Sequence, residues 1–352
     1  MKNDSKDRDT PDPIHGKNRL LLIVAGAILA MSLWTALFFF QIGAPTTSSE
    51  WIDNIYKKKE RLIEESTPPR IILIGGSGTL FGFDSLKICK STGIKTINFG
   101  THAGLGIDYI LYRAKKVLRS GDIAVIVPEY SHFTYTGPKE ETQIDFVISR
   151  DRDYFFNRPW NEKLQYIYRM SLPRLMSGIY HKLNKTKINV NGLYGVHNIN
   201  NLGDQINIKK SQRTKSDIMR LKTAKPANIA SISTESRKIL EKFSIFAKSM
   251  NVDIYMTPPA ILDHKIYHTQ KYKNFFSNIR KLAEELGYTH IGNENDFIMP
   301  EDMFFNTIYH LNSTGVEKRT ARFIALLKPY INQRPQDGDR GPGCGQASSA
   351  PR

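Results

Sequence analysis

The stretch RIILIGGSGTLFGFDS, residues 70–85, decides how this chain is read. Ile71 to Ile74 is an unbroken apolar run, as expected of a strand covered on both faces. The run stops at Gly75 and Gly76; Ser77 follows, and Gly78 comes directly after it. Glycines permit positive φ and close approach to backbone N–H groups. Such N–H groups can hold an oxyanion, so the turn suits a nucleophilic serine at a strand end. A plain glycine-rich turn and a phosphate-binding loop are the competing readings. Neither GxxxxGK[ST] nor GxGxxG is present, and a P-loop needs the first of these.

Outward from this turn, apolar patterning predicts further strands at Lys95–Asn98, Ile123–Val127, Val252–Met256 and Tyr288–Ile291. Helical spacing predicts helices over Asp108–Ser120, Thr234–Met250, Tyr272–Leu286 and Thr314–Tyr330, the last with Thr314 and Glu317 in capping-box spacing. Alternating strands and helices imply an α/β domain with a mostly parallel sheet covered on both faces, here over residues 70–331. Ligands of such sheets bind at the carboxyl ends of the strands, where Ser77 stands. Residues 131–230 break the alternation. They are aromatic early and basic late, and too long for a structureless loop, so a mostly helical insertion or lid is expected. From Gln205 to Ala230 there are seven Lys/Arg and one Asp. That run reads equally as a solvated face and as a binding surface.

Upstream, LLLIVAGAILAMSLWTALFFFQIGA, residues 20–44, carries no charge and a single Gln. It is long enough to cross ~30 Å of hydrocarbon as a helix. Its apolar core is longer than that of a cleaved signal, and no A-x-A site follows. Lys17 and Arg19 precede it closely, while Lys57 to Lys59 lie well beyond its end. The positive-inside rule therefore holds residues 1–19 in the cytoplasm and the domain outside, at an inner or plasma membrane. Residues 45–69 read as a linker with some helical character, closed by Pro68 and Pro69. Residues 332–352 read as a disordered low-complexity tail.

The chain has 352 residues and a formal charge of +16, which favours an anionic partner. No nucleic-acid motif accompanies the charge, and the topology places the domain outside the cytoplasm. The two cysteines, Cys89 and Cys344, suggest no disulfide framework, since Cys344 lies in the Gly/Pro/Ser-rich tail. Asp263, His264 and His268 have ligand spacing, but without HExxH they read as a loop with surface histidines. No metal or cofactor is expected.

A serine nucleophile needs a base. His310, in FFNTIYHLNSTG (residues 304–315), lies in a polar loop just before the last helix. The pair GGSGTLFGFDS and YHLNSTG resembles the SGNH/GDSL hydrolase superfamily, and most of all its membrane-anchored branch associated with O-acylation of surface polysaccharides. The resemblance implies a three-layer, flavodoxin-like domain with Ser77 as nucleophile and His310 as base. It implies an oxyanion site at the N–H groups around Gly76, Ser77 and Gly78, supported by a glycine of NFGTHAGLG, residues 98–106, with Gly104 preferred over Gly100. NNLGDQ, residues 200–205, resembles a short element of related sequences. Two departures stand out. Asn306 occupies the neighbourhood where the family carries an Asp, with Asp302 further back. VPEYSHF, residues 127–133, offers Glu129 and Tyr130 where the family has an oxyanion Asn. Asn312 completes the residues assigned to substrate binding.

The resemblance thus implies a serine esterase or O-acyltransferase. It would act on acetyl-type groups of an envelope polysaccharide, with a membrane-bound acyltransferase as a further partner. The alternative is a weak or inactive scaffold of a polysaccharide-modification complex. Trp160 and Tyr154 are the expected sugar-stacking faces.

Overall fold

The computed structural model describes residues 13–138, 140–229, 231–332 and Cys344. The expectations for residues 1–12 and for the tail from 333 onward, Cys344 apart, lie outside the described residues. In chain order, α1 (Pro13–Gln41) and α2 (Thr47–Glu64) precede β1 (Arg70–Gly75). Then come α3 (Ser77–Leu80), α4 (Ser85–Thr92), β2 (Lys95–Asn98), α5 (Gly106–Val117) and β3 (Ile123–Val127). The insertion holds α6 (Glu141–Arg150), α7 (Arg152–Phe156), α8 (Trp160–Arg169), α9 (Leu172–Asn184) and α10 (Lys215–Lys222). After it follow α11 (Thr234–Ser249), β4 (Asp253–Met256), β5 (Ile261–Leu262), α12 (Gln270–Glu285), β6 (Thr289–His290), β7 (Ile298–Met299) and α13 (Ser313–Ile331).

Five strands form one sheet in the order β2-β1-β3-β4-β6, and every pairing is parallel. Because side chains alternate across a strand, β1 serves two cores. Ile72 and Ile74 pack with Ala124 and Ile126 under α2, α5, α11 and α12. Ile71 and Leu73 pack with Ile123 and Val125 under α4 and α13, where Ile88, Phe323 and Leu327 meet them. The result is the three-layer α/β architecture expected, with the switch in strand order between β1 and β3. Register pairs Gly75 with Val127, so residues two beyond each strand end emerge side by side. They are Ser77 and Glu129.

The structure corrects the reading of residues 45–69. They are no linker: α2 lays Ile52, Ile55, Tyr56, Lys59 and Ile63 into the core. The Lys57–Lys59 run hides this stripe, because the buried Lys59 points inward and donates to the carbonyl of Gly100. The cause is spatial, since an amphipathic face shows itself only against the core it covers. At the lower end of the sheet, Arg70 and Asp122 form a fully buried bidentate pair, at 2.9 and 2.6 Å. Arg70 also donates to the Ile63 carbonyl at 2.6 Å, joining α2 to β1 and β3.

The apolar segment is likewise redrawn. Asn18–Gln41 is the one helix among the described residues that is long and apolar enough to cross a membrane. The helix stops at Gln41, and a turn follows in which Ile42 and Ala44 are buried and the N–H of exposed Gly43 donates to the Ile148 carbonyl. Gln41, the single Gln of the run, is the reason. It is fully buried, donates to Met170 Sδ and accepts from Arg174 at 2.7 Å.

Cys89 and Cys344 are joined by a disulfide. The pairing overturns the expectation from sequence, which could not foresee that residue 344 returns to α4 across 255 positions. The last helix is capped by Asn312, whose Oδ1 accepts from the Gly315 N–H, rather than by a Thr314/Glu317 box.

Candidate active site

The glycines of the opening stretch are required by close approach, not by positive φ. Gly75, Gly76 and Gly78 all have ordinary backbone angles. A Cβ on Gly75 would stand 2.5 Å from the Val127 carbonyl oxygen, and one on Gly76 2.6 Å from Ala103 Cα. The β1 turn is therefore pressed against both neighbouring strand ends. Ser77 opens α3 directly after Gly76 and is half-buried. Its N–H, unpaired at a helix start, meets no partner among the described residues.

The Ser77 hydroxyl donates to Glu129 Oε1 at 3.3 Å, and the Gly78 N–H donates to the same oxygen at 2.8 Å. Glu129 is held in turn by its own N–H, which donates to His132 Nδ1 at 3.1 Å. That leaves the His132 proton on Nε2, 3.0 Å from the Ala103 carbonyl it serves. Burial pushes Glu129 up to about 7, against the opposing hydrogen bonds from Gly78 and Ser77. A carboxyl with a raised folded-state pKa binds more protons than in the unfolded chain between about pH 4.5 and 7, so it costs stability as pH rises through that window. Glu129→Gln should therefore unfold at higher urea than the parent at about pH 8, and the two should converge near pH 4.5. A gap that widens on acidification would contradict this.

His310 comes to the same place from the far end of the chain. It is buried, and its ring stacks on Phe81 at 4.2 Å with the planes 4° apart. The next residue back, Tyr309, lies 3.3 Å from where a Cβ on Gly78 would be. His310 Nδ1 sits 2.8 Å from Asn306 Oδ1, and Asn306 Nδ2 donates to Asp217 Oδ1 at 3.0 Å. Only the amide nitrogen can donate to a carboxylate, so Asn306 must turn its oxygen to the imidazole. His310 then carries its proton on Nδ1, and Nε2 keeps a lone pair. Burial, with repulsion from His102 and Arg220, drives His310 down to about 3 despite Asp217, so the ring is neutral at neutral pH. Ser77 and His310 are not hydrogen-bonded to one another in this state.

Asp217 itself is the lone acid of the basic run. Burial works against its ionisation, but hydrogen bonds from Thr214 and Asn306 and the charge of Arg220 leave its carboxyl lowered. The visible signal was that solitary Asp among seven cations. The need for it appeared only as an unexplained Asn at 306.

Other expected residues fall differently. The Gly104 N–H donates to His102 Nδ1 at 3.0 Å and the Gly100 N–H to Asn98 Oδ1 at 2.9 Å, so neither is free for an oxyanion. Since His102 Nδ1 accepts, its proton lies on Nε2, and burial lowers the ring to about 4. Asn312 is fully buried, caps α13 and donates to the Asp302 and Phe304 carbonyls; it touches no open site. Tyr130 is buried against Phe276 at 4.9 Å, with no partner for its hydroxyl among the described residues. It lines a separate small cavity with Thr257, His290 and Glu294, and none of Ser77, His102, Glu129 and His310 lines it. Tyr154 is buried and donates to Asp108 at 2.7 Å, so it offers no face to a sugar. Asp263 and His268 pair with each other at the surface at 2.8 Å. Trp51 of α2, unforeseen in a supposed linker, packs edge-on to His102 and stacks on Tyr194 at 4.8 Å; Tyr194 in turn meets Phe81.

No protein-family model matches this chain, and no curated protein does. Among solved structures, the crystal structure of protein YxiM from Bacillus subtilis is similar at 9% identity and TM-score 0.34, over 75% of this chain and 57% of that one. The match thus spans little more than half of the YxiM chain.

Proposed function

We propose that the chain is a membrane-anchored serine esterase or O-acyltransferase acting on acetyl-type esters of an envelope polysaccharide. The observation that carries this reading is the chain His310–Asn306–Asp217, which leaves an unprotonated Nε2 on a ring packed against the serine turn. The resemblance of the two sequence blocks to SGNH hydrolases supports it, as does a disulfide, which suits an oxidising compartment outside the cytoplasm.

In this reading Ser77 turns from Glu129 to His310 Nε2. Its oxygen attacks the acyl carbonyl carbon as the proton passes to Nε2, and the ring's new charge is offset through Asn306 by Asp217. The Ser77 N–H, without a partner among the described residues, is the donor assigned to the oxyanion. The leaving alcohol takes the proton from His310, and water or a sugar hydroxyl then releases the acyl group by the reverse steps. The test is fluorophosphonate capture and acetyl-ester hydrolysis by the full chain in detergent. A folded chain that does neither overturns the reading.

Asp217 is a positioning residue. Asp217→Asn frees the Asn306 amide to flip and should lower kcat by about tenfold to a hundredfold with KM little changed. Adding Asn306→Asp, which puts a carboxylate directly on the imidazole, should recover most of the loss. Equal loss in both would mean that Asp217 serves folding only.

A non-catalytic scaffold is the second reading. What favours it is that Glu129 occupies both the Ser77 hydroxyl and the Gly78 N–H.

A further inference from the structure

Helices α8 and α9 turn a long apolar face to solvent. On α8, Trp160, Leu164 and Tyr168 repeat every four residues and are all exposed, Trp160 by 71%. On α9, Leu172, Met176, Tyr180 and Leu183 continue the stripe at helical spacing, Leu183 exposed by 66%. Single exposed apolar residues need no explanation, but a stripe along two consecutive helices does. Their opposite faces are committed to the protein: Tyr166, Ile167 and Leu175 are buried.

The stripe is continuous with the membrane-crossing candidate. The α9 helix packs along α1. Trp34 of α1 donates to the Ile167 carbonyl of α8 at 2.8 Å, and Lys182 of α9 donates to the Ile42 carbonyl at 2.8 Å. Exposed Phe39 meets buried Phe155, which meets exposed Phe156, so the aromatic packing links α1 to α7; Asn157 and Arg158 separate Phe156 from Trp160 of α8. Length agrees. The 24 residues from Asn18 to Gln41 extend about 36 Å as a helix, against ~30 Å of hydrocarbon. With that surplus of about one turn set at the end of α1 that α8 and α9 hold, Gln41 lies about 6 Å beyond the hydrocarbon and Trp34, seven residues earlier, about 5 Å inside its boundary. Charge agrees as well: residues 157–190 contain seven Lys/Arg and one Glu. Trp and Tyr beside cations are the composition of a membrane interface.

We infer that α8 and α9 form an interfacial platform that lies in the headgroup layer of the leaflet from which α1 emerges, seating the domain on an anionic lipid surface. The stripe's Trp160 is then a lipid anchor, not a sugar platform. This rests on α1 spanning the membrane, and the experiment separates the two claims. A benzophenone amino acid is placed at Met31, Trp160, Met176 or Ile245 of the full chain, reconstituted in vesicles of phosphatidylglycerol and phosphatidylethanolamine carrying an alkyne-tagged acyl chain. Position 31 reports the anchor, and exposed Ile245 on α11 is the control. Positions 160 and 176 should form lipid adducts at least about tenfold above position 245, alongside position 31. Lipid adducts at 31 with none at 160 and 176 overturn the platform and leave the anchor standing. No adduct at 31 overturns the anchor and the platform with it. Adducts at 160 and 176 to a second copy of the chain instead of lipid make the stripe a dimer face and overturn the inference.

Discussion

Ser77→Ala and His310→Ala should each lower ester turnover by the full chain by on the order of 10⁴-fold and abolish fluorophosphonate capture. The two act as one unit, so the double variant should be scarcely worse than either single one. The expectation rests on His310 being neutral and holding its proton on Nδ1, which makes Nε2 available to Ser77. Glu129 is the competing base, since it is the group that Ser77 touches and its carboxyl lies near neutrality. Glu129→Gln separates them. Gln can still accept from Gly78 but cannot take up the serine proton. If His310 is the base, Glu129→Gln keeps capture within about tenfold of the parent. If Glu129→Gln is as inactive as Ser77→Ala while His310→Ala still labels, the proton goes to Glu129 and the mechanism above is wrong. If the folded parent never labels, the scaffold reading stands.

The largest stability effect is expected at the base of the sheet. Asp122→Ala leaves the Arg70 guanidinium buried without its carboxylate and should cost about 3–5 kcal/mol. Arg70 has no route to water, being fully buried beneath α2 and between the starts of β1 and β3. Replacing both partners by apolar residues, as Arg70→Met with Asp122→Leu, removes the stranded charge and should cost far less than Asp122→Ala alone. Urea unfolding of the full chain in detergent, followed by tryptophan fluorescence, measures both. A double variant as unstable as the single one would mean that the pair's hydrogen bonds to α2, and not the stranded charge, dominate.

The two sites differ in how far each was legible beforehand. The strands, the strand-to-helix turn at Ser77, the helical faces and the apolar N-terminal run are local patterns, written in spacings of two to four residues. Those spacings carry the three-layer α/β fold, because buried strands and amphipathic helices have few ways to cover one another. The sequence also places Asn306 four residues before His310, where the resemblance to SGNH hydrolases leads one to expect a carboxylate.

What answered that want was tertiary. Asp217 reaches Asn306 across 89 positions, and Glu129 reaches Ser77 across 52 because the β1–β3 register sets two strand ends side by side. His102 takes the Gly104 N–H that was assigned to an oxyanion, and Gln41 ends the long apolar helix where Arg174 and Met170 meet it. Hydrogen-bond partners of this kind are chosen by which surfaces meet when the sheet and its covering helices close. No local period encodes them, and only the folded chain decides which polar groups are spent on structure and which remain free for chemistry.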